Sequence, residues 1–196
     1  MNKLIFILTL FFVMTGCSTK VSRVETSSTM DLTGRWNDAD SRLVAEELIR
    51  DCLSHTWLTK YDSILRKKPV VIVGKIENKS HEHISTQTFV KDIQRALLNS
   101  GRVEFVADKN DREQIRDEKA DQASNASAPT AKSSGEESGA DLMMIGTINT
   151  IVDQEGKKAV VFYQTNMEMV EIESHKTVWI GEKKIKKYVE RTNTKF

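Results

Sequence analysis

The run Pro69-Val70-Val71-Ile72-Val73-Gly74-Lys75-Ile76 limits the fold more than any other stretch of this chain. Four consecutive β-branched residues behind a proline read as a strand with both faces buried, as in a parallel sheet. Parallel neighbours need crossover connections, and helical patterns lie on both sides of the run. Upstream, Val44, Leu48 and Cys52 recur four apart, flanked by Ala45, Ile49 and Leu53. Asp38 or Asp40 caps this helix, which runs to about Leu53. Downstream, Ser85 or Thr86 starts a second helix with Phe89, Ile93, Ala96 and Leu97 inward, and Asn99-Ser100-Gly101 ends it. Val103 to Val106 is the next strand.

Residues 107–139 hold little core material, with Ile115 their only large aliphatic. Asn110 or Asp111 caps a charged helix to about Ala120. Residues from about 121 to 138 read as a polar, mobile segment with room for a short helix before Gly139. The remainder is β-rich. Ala140 to Val152 is a strand, Gln154-Glu155-Gly156-Lys157 marks a hairpin, and Ala159 to Ile172 returns. Along the return strand Val161, Tyr163, Thr165, Met167 and Met169 point one way, and Gln164, Asn166 and Glu168 the other. Ser174-His175-Lys176 turns the chain into a last strand, Thr177 to Tyr188. The expected fold is a single α/β domain over residues 34–196. Its mixed sheet has parallel strands first and an antiparallel meander at the carboxyl end, with helices packed on the sheet.

The amino terminus, MNKLIFILTLFFVMTGC, has a cationic start at Lys3 and an apolar run from Leu4 to Met14. A run of eleven residues, apolar but for Thr9, suits a signal-peptide core and falls short of the roughly 20 that a spanning helix needs. The run ends in Met14-Thr15-Gly16-Cys17, which resembles a bacterial lipobox with Met14 where leucine is usual. That resemblance implies a signal peptide over 1–16 and acylation of Cys17, with palmitate-class chains on its thiol and on the new amine. Several acyl chains on one residue anchor firmly where a single chain is marginal. Residues 17–33 form the lipidated cysteine and a flexible Ser/Thr-rich tether, about 50 Å long at full stretch. The cleaved chain carries 28 basic and 28 acidic groups. This balance removes the positive field of a nonspecific nucleic-acid binder. The aromatic residues are too scattered for a single-strand stacking platform.

Each chemical candidate has a plainer alternative. His81-Glu82-His83 offers metal-ligand types at i and i+2, but a site needs three or four convergent ligands. No fixed-spacing partner is visible, so a solvated loop is the expectation and no metal is assigned. Cys52 lies on an apolar helix face, where it reads as a small core residue. Trp36 is either a partner anchor or the pin that holds the incoming chain to the core. Asp38, Asp40 and Arg42 beside it read as caps and surface pairs, or as part of a contact patch. Lys183, Lys184, Lys186 and Lys187 around Ile185 are either the guard of an edge strand or a basic rim for an acidic partner. No nucleophile elbow, phosphate loop, dinucleotide fingerprint or zinc-protease motif occurs. The expectation is a protein with no catalytic residues, no cofactor and no small-molecule substrate. Trp36, Asp38, Asp40, Arg42, Lys183, Lys184 and Lys187 are the candidate partner contacts.

The order DLTGRWNDADSRLVAEELIRDCL, PVVIVGKIENKS, TFVKDIQRALLNSGRVEFV and GADLMMIGTINTIVDQEG resembles LpoB-type penicillin-binding-protein activator lipoproteins. The Asn78–Ser80 and Gly139-Ala140-Asp141 passages are also similar to TolB amino-terminal domains and curli-secretion lipoproteins. The resemblance implies a noncatalytic outer-membrane lipoprotein facing the periplasm. It would activate a class A penicillin-binding protein and so regulate peptidoglycan synthesis and cell shape. The curli-type relatives imply the alternative, an accessory or structural lipoprotein of a secretion or envelope-assembly complex. One departure is visible: the better-known activators carry a long tether, and here it is residues 18–33 only.

Overall fold

The computed structural model describes residues 19–191. The expected signal peptide over 1–16 and the expected acylation site Cys17 lie outside the described residues. The elements run α1 (Asp38–Ser54), α2 (Trp57–Thr59) with a π-helical continuation Lys60–Leu65, β1 (Val70–Asn78), α3 (Thr86–Asn99), β2 (Glu104–Phe105), α4 (Lys109–Asn125), β3 (Leu142–Glu155), β4 (Lys158–Glu171) and β5 (Thr177–Glu190). They form one sheet in the order β2-β1-β3-β4-β5. β1 is parallel to both β2 and β3, and the β3-β4-β5 meander is antiparallel, as the sequence predicts.

One face of the sheet makes the core. Val71, Val73, Ile76, Leu142, Met144, Ile148, Tyr163, Met167, Met169 and Trp179 are buried there. Helices α1 and α3 cover them with Val44, Leu48, Ile49, Phe89, Ile93 and Leu97. The period-two reading of β4 holds at every position, because Val161, Tyr163, Thr165, Met167 and Met169 are all buried. Turn chemistry fixes the joints. Gly101 (φ +67°) follows α3, and Gly156 (φ +56°) sits in the β3-β4 turn.

Several local expectations shift. The cap of α1 is Asn37, one residue before the predicted aspartates. Its side chain accepts from the Asp40 N–H at 3.0 Å, and Asp40 Oδ2 accepts from the Asn37 N–H at 2.9 Å. That reciprocal pair is a capping box, in which the acid at the third helical position mimics a cap when read from sequence. Asp108 caps α4, which runs to Asn125 rather than Ala120. The short helix before Gly139 does not form. On β1 the core side is fully buried, whereas Val70, Ile72 and Gly74 are only half-buried. Among the described residues no helix covers that side; the Met143 and Ile145 side chains of β3 lie over Gly74 instead. A register shift between Val73 and Ile76 marks a bulge at Gly74-Lys75. The segment Trp57–Leu65 has no sequence-stated role, yet Trp57, Leu58 and Tyr61 are core residues. Trp57 Nε1 donates to the Cys52 carbonyl at 2.8 Å, which closes this turn back onto α1.

Candidate functional site

The candidate contacts fall at the junction of the incoming chain, the start of α1 and the far half of β5. Trp36 is held on three sides. Its Nε1 donates to Ser41 Oγ at 2.7 Å, and its backbone N–H donates to Glu82 Oε2 at 3.1 Å. Its ring meets Phe89 and Tyr163 edge-on, at centroid distances of 6.1 and 5.6 Å. The Tyr163 hydroxyl donates to Glu82 Oε1 at 2.8 Å. Burial and the Glu82 carboxylate together push the Tyr163 hydroxyl well above the usual phenol range. Trp36 therefore pins the chain to the core through a carboxylate from the β1–α3 loop.

Asp40 and Lys187 form the second fastening. The Lys187 ammonium donates to Asp40 Oδ2 at 2.6 Å, to Asp31 Oδ1 at 2.5 Å and to the Arg35 carbonyl at 3.1 Å. The Lys187 and Asp40 side chains are 9% and 8% exposed. Burial alone lowers the Lys187 pKa, but the two carboxylates outweigh it, and the net shift is upward. Asp31 also accepts from Asn37 Nδ2 at 2.7 Å. With the Arg42 bond to the Ser27 carbonyl at 3.3 Å, the incoming chain thus meets the domain from Ser27 onward, and most closely at Asp31.

The lysines of β5 alternate faces. Lys183 and Lys187 lie on the helix-covered side, Lys184 and Lys186 on the open side. Lys183 pairs with Glu47 of α1, and Lys184 with Glu182 at 2.5 Å. A cleft of about 380 Å³ runs between α1 and β5, walled by Leu43, Glu46, Arg50 and Ile185. Asp38 is exposed; Arg42 is half-buried and reaches Glu46 at 3.7 Å and the Ser27 carbonyl at 3.3 Å. The structure therefore brings Trp36, Asp40 and Lys187 together, with Asp38, Arg42 and the outer lysines around them.

The other chemical candidates resolve locally. His81 Nδ1 lies 2.7 Å from Thr150 Oγ1 and its Nε2 3.7 Å from Glu82 Oε1, but the Glu82 carboxylate is taken up by the Trp36 N–H and the Tyr163 hydroxyl. Among the described residues no group of three His, Cys, Asp or Glu side chains is placed to hold a metal ion. Cys52 is buried, and burial pushes its thiol up to about 12. Sequence reasoning missed Glu82 as a structural acceptor; its partners are 46 and 81 residues away, and nothing local signals them. It also missed the uncovered sheet face, where Ile72, Met143, Ile145, Phe162 and Ile180 surround Gln164, Asn166, Glu168, Glu182 and Lys184.

Fold and site together define a class: a single α/β domain on a five-stranded mixed sheet, two helices on one face, the other face open. Within that class, the chain belongs to the peptidoglycan-synthase activator LpoB family, whose model matches residues 40–185. The match takes in both covering helices and every strand as far as Ile185. Among solved structures, the LpoB C-terminal domain from Escherichia coli is 12% identical; the match covers 74% of this chain and 98% of that one, with a TM-score of 0.44. The equivalent domain from Salmonella enterica is 13% identical, with the same coverage and a TM-score of 0.43. Lipoprotein GNA1162 from Neisseria meningitidis is 14% identical, covering 64% of this chain and 88% of its own, with a TM-score of 0.41. No curated protein matches the chain. The family assignment rests on the family model.

Proposed function

We propose that this chain is a lipid-anchored, noncatalytic activator of a class A penicillin-binding protein. It is held at Cys17 in the outer membrane and faces the periplasm. The observation that carries the reading is the activator family's match across residues 40–185. The lipobox-like Met14-Thr15-Gly16-Cys17 supports the anchor. Activation without chemistry requires only that the module bind the active conformation of the synthase more tightly than the inactive one; a tenfold shift needs about 1.4 kcal/mol of differential affinity.

The candidate contacts divide by what they already hold. Trp36, Asp40, Lys183 and Lys187 are engaged inside the domain and act on a partner through the shape they fix. Asp38 and Arg42 keep accessible heads, and we assign them the direct contact; the Lys184 ammonium is held by Glu182.

The test is glycan-strand polymerisation by a purified bifunctional synthase with and without the lipidated protein. It is paired with in vivo crosslinking and mass spectrometry. The expected result is a several-fold higher rate and a crosslink to the synthase. An unchanged rate, or crosslinks that lead only to an outer-membrane channel assembly, would sink the proposal. Labelling with palmitate is expected in the parent and lost in Cys17→Ser.

A further inference from the structure

β5 closes one side of the sheet, and among the described residues no strand pairs with its outer margin, which Asp31–Gly34 border near Lys186–Glu190. The Arg191 N–H donates to the Lys157 carbonyl at 3.0 Å, just past the Lys158–Glu190 pair. In an antiparallel ladder, residues that exchange hydrogen bonds alternate with residues that do not. The register is unbroken from Glu190 back to Trp179. Odd-numbered residues of β5 therefore turn their N–H and C=O groups toward β4. The even-numbered ones, Ile180, Glu182, Lys184, Lys186 and Tyr188, turn theirs to the free margin, and their side chains lie on the open face. Among the described residues, no backbone group of another element bonds to that margin. A 14-residue strand with one open side is a template for another strand.

We propose that the occupant is a second copy of this chain, paired antiparallel along β5 about a two-fold axis through Lys184. The strand is self-complementary about that residue. With Lys184 opposite its own copy, Glu182 faces Lys186 twice and Ile180 faces Tyr188 twice. Lys186 is the β5 lysine without a carboxylate partner among the described residues, so the pairing supplies the one it lacks. Ile180 and Tyr188 are 65% and 61% exposed, and they are the exposed large hydrophobics of β5. They sit four positions on either side of Lys184, so one pairing covers both. The two Lys184 heads meet near the axis, but each is already held by its own Glu182 at 2.5 Å.

Neighbouring registers are worse. An axis at Ile185 sets Lys184 against Lys186 twice and Glu182 against Tyr188. An axis at Lys183 pairs Glu182 with Lys184 twice, but those two already pair within one strand, and it sets Ile180 against Lys186 and leaves Lys186 without a carboxylate. Like charges directly opposite destabilise a ladder, and opposite charges or aromatic–aliphatic pairs support it; the Lys184 axis carries one like-charge pair, each member neutralised by its own Glu182, where the Ile185 axis carries two on the same face. The product is an isologous dimer with a continuous ten-stranded sheet.

The test uses the full chain in the membranes of the expressing cells, with the parent chain as background for Cys17 and Cys52. Lys184→Cys places two thiols on the axis, in a pair with Cα atoms about 5.5 Å apart, within disulfide reach. Oxidation is expected to give a disulfide dimer with at least about tenfold the yield of Glu182→Cys, whose copies would lie roughly 13 Å apart along the strand. Glu182→Cys expressed with Lys186→Cys is expected to give the mixed dimer. Lys184→Pro removes an N–H that β4 does not use, so the ladder to β4 survives while the outer one fails. It is expected to cut the mixed crosslink about tenfold with an unchanged circular-dichroism spectrum. Equal yields at all positions, no dimer at Lys184→Cys, an adduct with a different protein, or a mixed crosslink that survives Lys184→Pro each overturn the proposal.

Discussion

Replacing Lys187 with methionine removes the cation shared by Asp31 and Asp40 and keeps most of the buried stem. The cost follows from what is left behind. Asp40 is 8% exposed and retains one hydrogen bond, from the Asn37 N–H, while losing its only cation. Breaking a buried pair by deleting one partner costs about 3–5 kcal/mol. Asp31 is half exposed and recovers water, and Asp40 keeps its capping bond, so the low end applies, about 3 kcal/mol. For a domain of this size that is a fall in Tm of roughly 6–12 °C. Lys184→Met, which breaks an exposed pair, is expected to cost under about 0.5 kcal/mol. The assay is urea unfolding followed by tryptophan fluorescence, run as a double-mutant cycle with Asp40→Asn, since asparagine preserves the capping acceptor. The expected coupling is at least about 1.5 kcal/mol. The pH dependence has a definite sign. The folded pKa of Lys187 lies above the ordinary 10.5, so its contribution is complete below 10.5 and is lost as pH rises through the folded value. The alkaline decline in stability should be smaller in Lys187→Met. A cost below about 1 kcal/mol, or no coupling to Asp40, would refute the buried staple.

Cys52, its thiol pushed up to about 12 by burial, should stay protonated and unreactive toward thiol reagents at pH 8 in the native state. In a Cys17→Ser background, Ellman titration should count no fast thiol until denaturant is added. Gly34 has φ +72°, and an added Cβ would lie 2.2 Å from Val189 Cγ2. Gly34→Ala should cost more than about 1 kcal/mol in urea unfolding, with only part of the loss recovered in Gly34→Ala/Val189→Ala, because the backbone strain remains. Among the described residues, Thr165 Oγ1 is buried with no hydrogen-bond partner. Thr165→Val should raise stability by about 1 kcal/mol, read as a higher urea midpoint at constant m-value.

What the sequence made legible was periodicity. The β4 alternation placed five side chains on the core face because period two has one solution once a single face is known. The four-residue spacing of Val44, Leu48 and Cys52 likewise found the buried stripe of α1. The VVIV run was half informative. A β-branched run specifies a strand but does not say whether a helix or a neighbour's side chains cover each face, and here Val70 and Ile72 have no helix above them. The Trp57–Leu65 turn had no period to read, being too short and partly π-helical. At the site, strand parity was legible: Lys183 and Lys187 face one way, Lys184 and Lys186 the other. Their engagement was not, since Glu47, Asp31 and Asp40 reach them from 136, 156 and 147 residues away.

The same long-range contacts bear on how a tethered module presents itself. Under the proposed anchor at Cys17, a pull would enter the fold between Ser27 and Asp31 and be shared chiefly between two separate fastenings. One is Lys187, at the carboxyl half of β5; the other is the Trp36 indole and amide, on Ser41 and on Glu82. Both fastenings land on α1 or on residues packed against the core, so the load passes to the sheet through side chains about 9% exposed or less at Lys187 and Asp40. The incoming chain is therefore fixed to the domain well before the start of α1, from Ser27 and Asp31 onward. From there the open sheet face and the β5 margin have a fixed relation to the point of attachment. That relation reconciles two readings that seemed to compete at Trp36: a residue that pins the chain to the core also sets which surface the domain would offer when held at Cys17 as proposed.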